Sequence, residues 1–260
     1  VRKNLNWHYK PFEIPSKLLT VWKSFGNKGS ILENKWNKYL TKKKIIIKNV
    51  FKNNFLNELK NEKLEAVKNQ KSIASRKASE LTLTALTKNE NILIGGSADL
   101  AGSNNTKTKF HKIIKPGNFE GNYIHYGVRE HAMCAIMNGL SLHSKFIPYG
   151  GTFLIFSDYC KPSIRLSALM NQQVIYVMTH DSIGLGEDGP THQPIEQLSG
   201  LRAIPNLNIF RPADRMETIE CWELALKNSK TPSVLSLTRQ NLDPIRKNFS
   251  KNNKCSHGAY

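Results

Sequence analysis

The sequence predicts an α/β fold with a six-stranded, mostly parallel sheet and helices on both faces. From about residue 71 onward, short apolar segments alternate with longer segments of helical spacing. Such alternation is typical of parallel sheets, in which helices join successive strands. In addition, polar or glycine-rich segments follow several of the apolar ones, as expected where strands end at a ligand-binding edge.

The elements follow one another in the order that this fold requires. Each predicted strand is a short apolar segment, and the helices between them are longer and carry apolar residues at helical spacing. Asp214 is a preferred N-cap residue and marks the start of the last helix. In chain order the predicted elements are helix 71–88, strand 92–96, strand 122–126, helix 129–143, strand 145–149, helix 158–171, strand 173–179, helix 194–203, strand 207–211, helix 214–228 and strand 233–238.

The residues before the sheet are predicted to form a helical and extended linker, 1–70. Pro11 and Pro15 punctuate an extended opening, and polar segments with helical spacing follow it. We expect the globular domain to span 71–247. Because the chain starts with Val rather than Met, we interpret it as a fragment or as one domain of a longer protein.

The net charge of +18 is concentrated in the N-terminal quarter, because residues 1–75 hold 17 Lys and Arg against 5 Asp and Glu. Lys and Asn dominate this quarter, as at Lys42, Lys43 and Lys44. The Arg-rich or aromatic-interleaved patches that favour nucleic-acid binding are absent from the sequence, so we interpret the charge as a solvated surface and disfavour a nucleic-acid partner.

The sequence has no segment that predicts a membrane location or secretion. Its apolar runs are shorter than the roughly 18 residues that cross a bilayer, and no signal-peptide pattern opens it. The four cysteines lack the close spacing of zinc sites and disulfide frameworks. The simplest expectation is a reduced, cytoplasmic protein.

The segment 184–194 (GLGEDGPTHQP) is the most informative part of the chain. It packs three glycines, two prolines, two carboxylates and a histidine behind an apolar strand, which indicates a constrained loop close to a ligand. His180, Asp188 and His192 cluster around this loop. Arg76, Ser103 and Arg239 could clamp a phosphate, because a guanidinium fork suits that anion.

Glu130 opens a helix directly after a predicted strand. It is either an acid favoured by the helix dipole or a partly buried carboxyl that shares a proton with a ligand nitrogen. Three aromatic residues, Phe153, Phe156 and Tyr159, recur at helical spacing and form either core or a ligand platform. The glycine-containing segment 150–152 before them is expected to be a loop at a strand end, which favours the platform.

Five segments of the sequence carry a pattern in a fixed order: 97–100 (SADL), 124–131 (IHYGVREH), 179–184 (THDSIG), 186–194 (GEDGPTHQP) and 236–241 (SLTRQN). Together they resemble the transketolase family. The segment 10–15 (KPFEIP) is also similar to the one that leaves the first domain in that family. Departures from the family pattern occur at Gly102 and His131, which have no assigned role.

The resemblance implies a thiamine diphosphate-binding fold and a role for each candidate residue. Glu130 matches the glutamate that binds the aminopyrimidine nitrogen, and Asp99 matches a carboxylate near the cofactor. His192 and Asp188 match residues that face the reacting oxygens and a hydroxyl of the sugar. The aromatic pocket corresponds to Phe153, Phe156 and Tyr159. The sugar-phosphate clamp corresponds to Arg76, Ser103, His180 and Arg239.

The resemblance also implies what lies outside the chain. The diphosphate and its Mg²⁺ or other divalent cation are held by an N-terminal domain, so no metal ligand is expected here. Residues 248–260 match the start of the connector to a C-terminal domain. The implied active form is a homodimer with the site between subunits, and this chain alone is expected to be inactive. Truncated fragment and naturally split subunit both remain open.

Three functions are consistent with the sequence. The first is transfer of a two-carbon ketol unit from a ketose phosphate to an aldose phosphate in the pentose phosphate pathway. The second is a related thiamine diphosphate enzyme, either a dihydroxyacetone synthase or a deoxyxylulose-phosphate synthase. The third is a non-catalytic basic module that binds anions through residues 1–70.

Overall fold

The computed structural model describes residues 1–42, 47–88 and 92–260. Residues 43–46 of the predicted linker, with Lys43 and Lys44, and residues 89–91 between the first predicted helix and strand lie outside the described residues. The chain forms two compact units, Val1–Lys52 and Asn53–Tyr260.

Helices dominate the part of the chain that precedes the sheet, as predicted. Helix α1 spans Ser16–Lys42 and α2 spans Ile47–Lys68. Pro15 immediately precedes α1, where its missing N–H costs no helical hydrogen bond. None of the side chains of residues 1–39 is buried, and α1 exposes large apolar residues such as Trp22 and Trp36.

The second unit contains the predicted sheet. Its strands are β1 Ile73–Ala74, β2 Leu93–Ser97, β3 Tyr123–His125, β4 Ile147–Phe153, β5 Ile175–Thr179, β6 Asn208–Phe210, β7 Ser233–Leu237 and β8 Asn241–Leu242. Its helices after α2 are α3 Ser75–Thr87, α4 Ala101–Asn104, α5 Glu130–His143, α6 Ser157–Leu169, α7 Gln197–Arg202 and α8 Arg215–Lys227.

Six strands form one sheet in the order β3-β2-β4-β5-β7-β6, and every neighbouring pair is parallel. The six-stranded prediction is therefore confirmed. The chain moves from β2 outward to β3 and then returns to place β4 on the other side of β2. This reversal of direction creates a crevice at the carboxyl ends of β2 and β4, where open α/β sheets bind ligands.

Helices cover both faces of the sheet. On one face, Met133 and Met137 of α5 and Ile164 of α6 pack with sheet residues such as Tyr176 in a single buried cluster. On the other face, the Trp222 ring of α8 meets Tyr149 of β4 edge-on, with ring centroids 5.9 Å apart. The Trp222 Nε1–H also donates to Ser79 Oγ of α3 at 2.8 Å, which joins α3 to α8.

Strand β4 is longer than predicted, and the expectation of a loop at 150–152 was wrong. The glycines suggested a loop, yet they lie within the strand. Glycine is needed at these positions because neighbouring atoms leave no room for a Cβ. A Cβ on Gly150 would lie 2.5 Å from Met137 Sδ, and one on Gly151 would lie 2.6 Å from Thr106 Cγ2. Glycine inside a strand often marks such a close approach.

Candidate functional site

Residues singled out at the strand ends lie along one edge of the sheet. Asp99 follows β2, Phe153 ends β4, His180 follows β5 and Arg239 follows β7. Asp99 and His180 adopt left-handed backbone angles, with φ of 62° and 59°. A non-glycine residue held there costs on the order of 1–3 kcal/mol, and such strain clusters at functional sites.

Glu130 is a buried carboxylate at the start of α5, with a relative exposure of 8%. Thr152 Oγ1 donates to Glu130 Oε1 at 3.3 Å. Among the described residues, Glu130 has no ion-pair partner. It lines an open cavity of about 700 Å³ together with Phe156 and Tyr159. A buried acid that faces a cavity and has no ion-pair partner among the described residues is suited to bind a polar group of a ligand.

The three aromatic residues form a row that leads from the interior to the surface. Phe153 and Phe156 stack nearly parallel, with centroids 5.7 Å apart and an interplanar angle of 8°. Tyr159 lies 5.9 Å from Phe156 and is 66% exposed. His192 meets Phe153 and Phe156 edge-on, at centroid distances of 5.9 and 5.4 Å. The structure thus brings the predicted aromatic platform and His192 together.

His180 lies beneath this platform. Its ring centroid is 3.7 Å from that of Phe153, and the side chain is almost fully buried. Burial is the main cause that lowers the pKa of His180 to about 4, and the electrostatic effects of Arg76, Arg239 and the neighbouring His192 contribute to this lowering. The imidazole is therefore neutral at pH 7.

Two guanidinium groups converge beside His180. Burial lowers the pKa of Arg76 below its ordinary value, and the charge of Arg239 lowers it further. In the part of the chain that the structure describes, neither arginine forms an ion pair with a carboxylate. Arg76 Nη1 donates to the Ser103 carbonyl at 2.5 Å, which joins Ser103 to Arg76. Two uncompensated cations side by side form a site for an anion.

Hydrogen bonds between two chain segments fix the two arginines. Thr238 N–H donates to Ser75 Oγ at 2.7 Å, and Ser75 N–H donates to Thr238 Oγ1 at 3.0 Å. Strands β1 and β8 pair antiparallel next to this contact. Because Arg76 and Arg239 each follow one of the bonded residues, the start of α3 and the end of β7 hold them in register.

Two of the predicted site residues are not brought into contact with the others. Asp99 and Asp188 are both exposed, and no hydrogen bond or ion pair links either side chain to another described residue. Asp188 lies in the same loop as His192, four residues before it. Their assigned roles stay predictions.

Sequence reasoning missed three polar residues of the site. Thr152 contacts Glu130, and Thr179 joins His180 to Asn104 through its hydroxyl. The position of Thr179 as the last strand residue before His180 was the available signal. Nothing in the local sequence distinguished Asn104.

The described residues contain neither a candidate metal site nor a candidate membrane span. No three His, Cys, Asp or Glu side chains among them group into a set that could hold a metal ion. In the described ranges, no helix is both long and apolar enough to cross a lipid bilayer.

Known proteins are similar to this chain in sequence and in fold. The family described as "Transketolase, pyrimidine binding domain" matches residues 71–244. A transketolase of Sinorhizobium medicae is 48% identical over all of this chain, which spans 38% of that relative. The chain therefore spans about two fifths of the length of such curated relatives.

Solved transketolases have the same fold. The enzyme of Leishmania mexicana aligns with a TM-score of 0.76 at 41% identity, covering 90% of this chain and 36% of that one. The Pichia stipitis enzyme in complex with sedoheptulose-7-phosphate aligns with a TM-score of 0.77 at 38% identity, covering 93% of this chain and 38% of that one. The chain belongs to the transketolase family, and residues 71–244 match its pyrimidine-binding domain.

Proposed function

We propose that the protein to which this chain contributes is a transketolase, which transfers a two-carbon ketol unit from a ketose phosphate to an aldose phosphate in the pentose phosphate pathway. The observation that carries the proposal is the buried Glu130 carboxyl, which opens on the same cavity as Phe156 in a chain of this family. Because the chain spans about two fifths of its relatives, we propose that it is inactive alone.

We propose thiamine diphosphate as the cofactor, because the described residues fit its aminopyrimidine ring. Phe153 and Phe156 offer apolar packing, and the Glu130 carboxyl, which has no ion-pair partner among the described residues, offers a hydrogen-bond partner for a ring nitrogen. When bound, the cofactor supplies the nucleophilic carbon and the electron sink. We place the diphosphate and its Mg²⁺ or similar divalent cation on segments outside this chain.

We propose distinct tasks for the residues around that ring. Glu130 holds a proton at the ring nitrogen, and Thr152 orients the carboxyl by its hydrogen bond. Phe153, Phe156 and Tyr159 pack on the ring and exclude water. Asp99 lies near the cofactor.

The proposed substrate half of the site contains the loop and the arginines. Arg76, Arg239 and Ser103 bind the phosphate of the sugar, and His180 completes this end. His192 and Asp188 face the sugar oxygens. Two neighbouring guanidinium groups without a carboxylate partner among the described residues support a phosphorylated substrate, and the Pichia stipitis relative binds sedoheptulose-7-phosphate.

We propose a cytoplasmic homodimer with the site between subunits. The open cavity at Glu130 and the exposed Tyr159 leave one side of the aromatic row to be covered by another surface. We assign 1–70 as the interdomain linker, 71–247 as the pyrimidine-binding domain and 248–260 as the start of the next connector.

An assay with sugar phosphates tests the proposed transketolase activity. The full-length protein is supplied with thiamine diphosphate, Mg²⁺, xylulose 5-phosphate and ribose 5-phosphate, and product sugars are measured. We expect glyceraldehyde 3-phosphate and a seven-carbon ketose phosphate. Productive turnover only with formaldehyde as acceptor, or only with pyruvate and glyceraldehyde 3-phosphate, would instead identify one of the related synthases.

Replacing Glu130 tests the assignment of the acid. In the full-length enzyme, we expect Glu130→Gln to lower kcat by about 100-fold or more, because a positioned proton-transfer group contributes roughly 10²–10⁴-fold. Glu120→Gln changes an exposed carboxylate in the same way and should leave kcat unchanged. Near-normal turnover by Glu130→Gln would refute the assignment.

A further inference from the structure

The four cysteines, which are far apart in sequence, lie in the folded chain as two pairs of free thiols. Cys134 of α5 contacts Cys160 of α6, and both are fully buried in the core cluster on one face of the sheet. Cys221 of α8 contacts Cys255. Cys221 is buried as well, whereas Cys255 is partly exposed. Of the two pairs, the second alone therefore offers a thiol to a reagent in solution.

Three hydrogen bonds to α8 place Cys255 beside Cys221. The Cys255 thiol donates to the Glu217 carbonyl at 3.9 Å. Glu217 lies four residues before Cys221, so this carbonyl belongs to the helical turn that ends at Cys221. The backbone N–H groups of Cys255 and Lys254 donate to Glu220 Oε2 at 3.2 and 2.9 Å. The side chain of Cys255 is thus held against the turn of the helix that carries Cys221.

The two thiols differ in how readily they react. Contact with the Cys255 thiol is the main cause that raises the pKa of Cys221 well above its ordinary value, and burial raises it as well. The Cys221 thiol is therefore protonated at pH 7. Because the thiolate is the reactive form and access is also required, Cys255 is the thiol that reacts first. Once Cys255 has been modified, the largest cause of the raised pKa of Cys221 is gone.

We propose that Cys221 and Cys255 form a redox-active pair, which a small-molecule disulfide such as oxidised glutathione converts to an intramolecular disulfide. The bond fastens the segment 253–260, which contains Cys255, to α8. Two thiols held in contact meet the main condition for this bond, because little backbone movement is needed. In a reducing compartment the pair stays reduced until an oxidant accumulates.

The reaction is a double thiol–disulfide exchange. The Cys255 thiolate attacks one sulfur of oxidised glutathione, which forms a mixed disulfide and releases the first glutathione as its thiolate. Cys221 loses its proton to water and attacks the Cys255 sulfur, which forms the protein disulfide and releases the second glutathione thiolate. The two protein thiols thus lose two electrons and two protons, and oxidised glutathione takes them up as two molecules of reduced glutathione.

The bond would add to an attachment that Glu220 already makes through the N–H groups of Lys254 and Cys255. The segment 253–260 belongs to the proposed connector 248–260. The redox state of the pair therefore controls how firmly this connector is held on the sheet domain. The inference goes beyond the proposed transketolase activity and does not depend on it.

Peptide mapping of the 260-residue chain tests the inference. The chain is incubated with oxidised glutathione at pH 8 without denaturant, quenched with acid, alkylated in urea and digested with trypsin. Mass spectrometry should find the peptide 216–227 joined to the peptide that begins at Cys255, with the loss of two hydrogens. Cys134 and Cys160 are the internal control and should be recovered as alkylated thiols, because the core excludes the oxidant.

The same incubation in urea, where all four cysteines are accessible, shows that the reagent is effective. Recovery of both Cys221 and Cys255 as alkylated thiols from the folded chain would overturn the inference. Equal oxidation of Cys134 and Cys160 in the folded chain would also contradict it, because the arrangement at α8 would then confer no selectivity.

Matched serine variants test the two steps separately. Cys221→Ser should stop at the mixed disulfide, so the peptide that begins at Cys255 carries one glutathione. Cys255→Ser should leave Cys221 unmodified, because the remaining thiol is buried. Glutathione on Cys221 in folded Cys255→Ser, at the rate seen on Cys255 in Cys221→Ser, would contradict Cys255 as the entry point.

Hydrogen exchange tests the effect on the segment 253–260. In the oxidised chain, we expect the amides of Lys254 and Cys255 to exchange about tenfold more slowly or less, because the cross-link opposes local opening. Dithiothreitol should restore the original rates. Equal exchange rates in the oxidised and reduced chains would show that the disulfide does not fasten this segment.

Discussion

The positions of Arg76 and Arg239 lower the stability of the folded chain. Each carries a positive charge next to the other, and in the described part of the chain no carboxylate neutralises them. His180 beside them is neutral, so it adds no further charge at pH 7. A phosphate dianion would relieve the repulsion between the two guanidinium groups. We therefore propose that their arrangement serves to bind an anion and not to stabilise the chain itself.

Arg239→Met tests this interpretation. Without phosphate, we expect the free energy of unfolding of the 260-residue chain to stay unchanged or to rise, because a like-charge contact disappears. With inorganic phosphate at 100 times its Kd, the unchanged chain should gain about 2.7 kcal/mol. The variant should gain less, because losing a charge-assisted contact worth about 1.5–3 kcal/mol weakens binding at least tenfold.

Urea unfolding with and without phosphate measures both effects. Arg202→Met, at an exposed position near the end of α7, is the control and should respond to phosphate like the unchanged chain. A phosphate-dependent gain in Arg239→Met equal to that of the control would show that Arg239 does not bind the anion.

Helices α2 and α8 and the C-terminal segment are joined by a buried ion network. Glu220 of α8 is fully buried and accepts from both terminal nitrogens of Arg246, at 2.6 and 3.0 Å. It also accepts from the backbone N–H groups of Lys254 and Cys255. Lys63 of α2 lies 3.7 Å from Glu220 and 2.7 Å from Glu223. One carboxylate therefore fixes the connection of the sheet domain to segments at both ends.

Glu220→Gln should destabilise the chain strongly. Removing one partner of a buried ion network leaves the others uncompensated, which costs about 3–5 kcal/mol. Asp243→Asn removes an exposed carboxylate and should change the free energy of unfolding by less than about 0.5 kcal/mol. Urea unfolding at pH 7 measures both. A loss below 1 kcal/mol in Glu220→Gln would mean that the network contributes little.

The same ion network predicts that the free energy of unfolding depends on pH. Burial acts to raise the pKa of Glu220, but the hydrogen bonds and charges of Arg246, the Cys255 N–H and Lys63 lower it below its ordinary value of 4.5. A carboxyl whose pKa is lowered in the folded state contributes stability that is complete above about pH 4.5. This stability is lost as the pH falls through the pKa of the folded state. The stability difference between the unchanged chain and Glu220→Gln should therefore shrink below pH 4.5.

Comparing the unchanged chain with Glu220→Gln isolates the contribution of Glu220 to the pH dependence of stability. Burial also lowers the pKa of His111 and His180 to about 4, so both destabilise the fold as the pH falls below 6.5, but equally in both chains. Unfolding measured between pH 3 and 7 gives the difference at each pH. A difference that stays constant down to pH 3 would contradict a depressed pKa for Glu220.

The local sequence pattern was sufficient to predict the strands of the sheet, but it could not predict contacts between residues that are distant in sequence. Alternating segments predicted six strands in parallel, because apolar strands and helical crossovers have distinct periods. The pairing of Ile73 with Leu242 joins segments far apart in sequence, so no local period could reveal it. Asn104 was missed for the same reason, since its role depends on β5, which lies about 70 residues further along the chain.

The division of the chain into two compact units leads to a prediction about truncation. Removing residues 1–39 should change the free energy of unfolding of the remainder by less than about 0.5 kcal/mol, because none of their side chains is buried. The urea m-value should also change little, since it scales with the surface exposed on unfolding.

A second truncation provides the contrast. Starting the chain at residue 71 also removes Phe55, Leu59 and Lys63, which are 4%, 2% and 4% exposed within the second unit. Losing two buried apolar side chains and a member of the ion network should lower the free energy of unfolding by at least about 4 kcal/mol. If the two truncations were equally stable, α2 would not belong to the core of the sheet domain. A large loss on removing residues 1–39 alone would instead show that these residues stabilise the remainder of the chain.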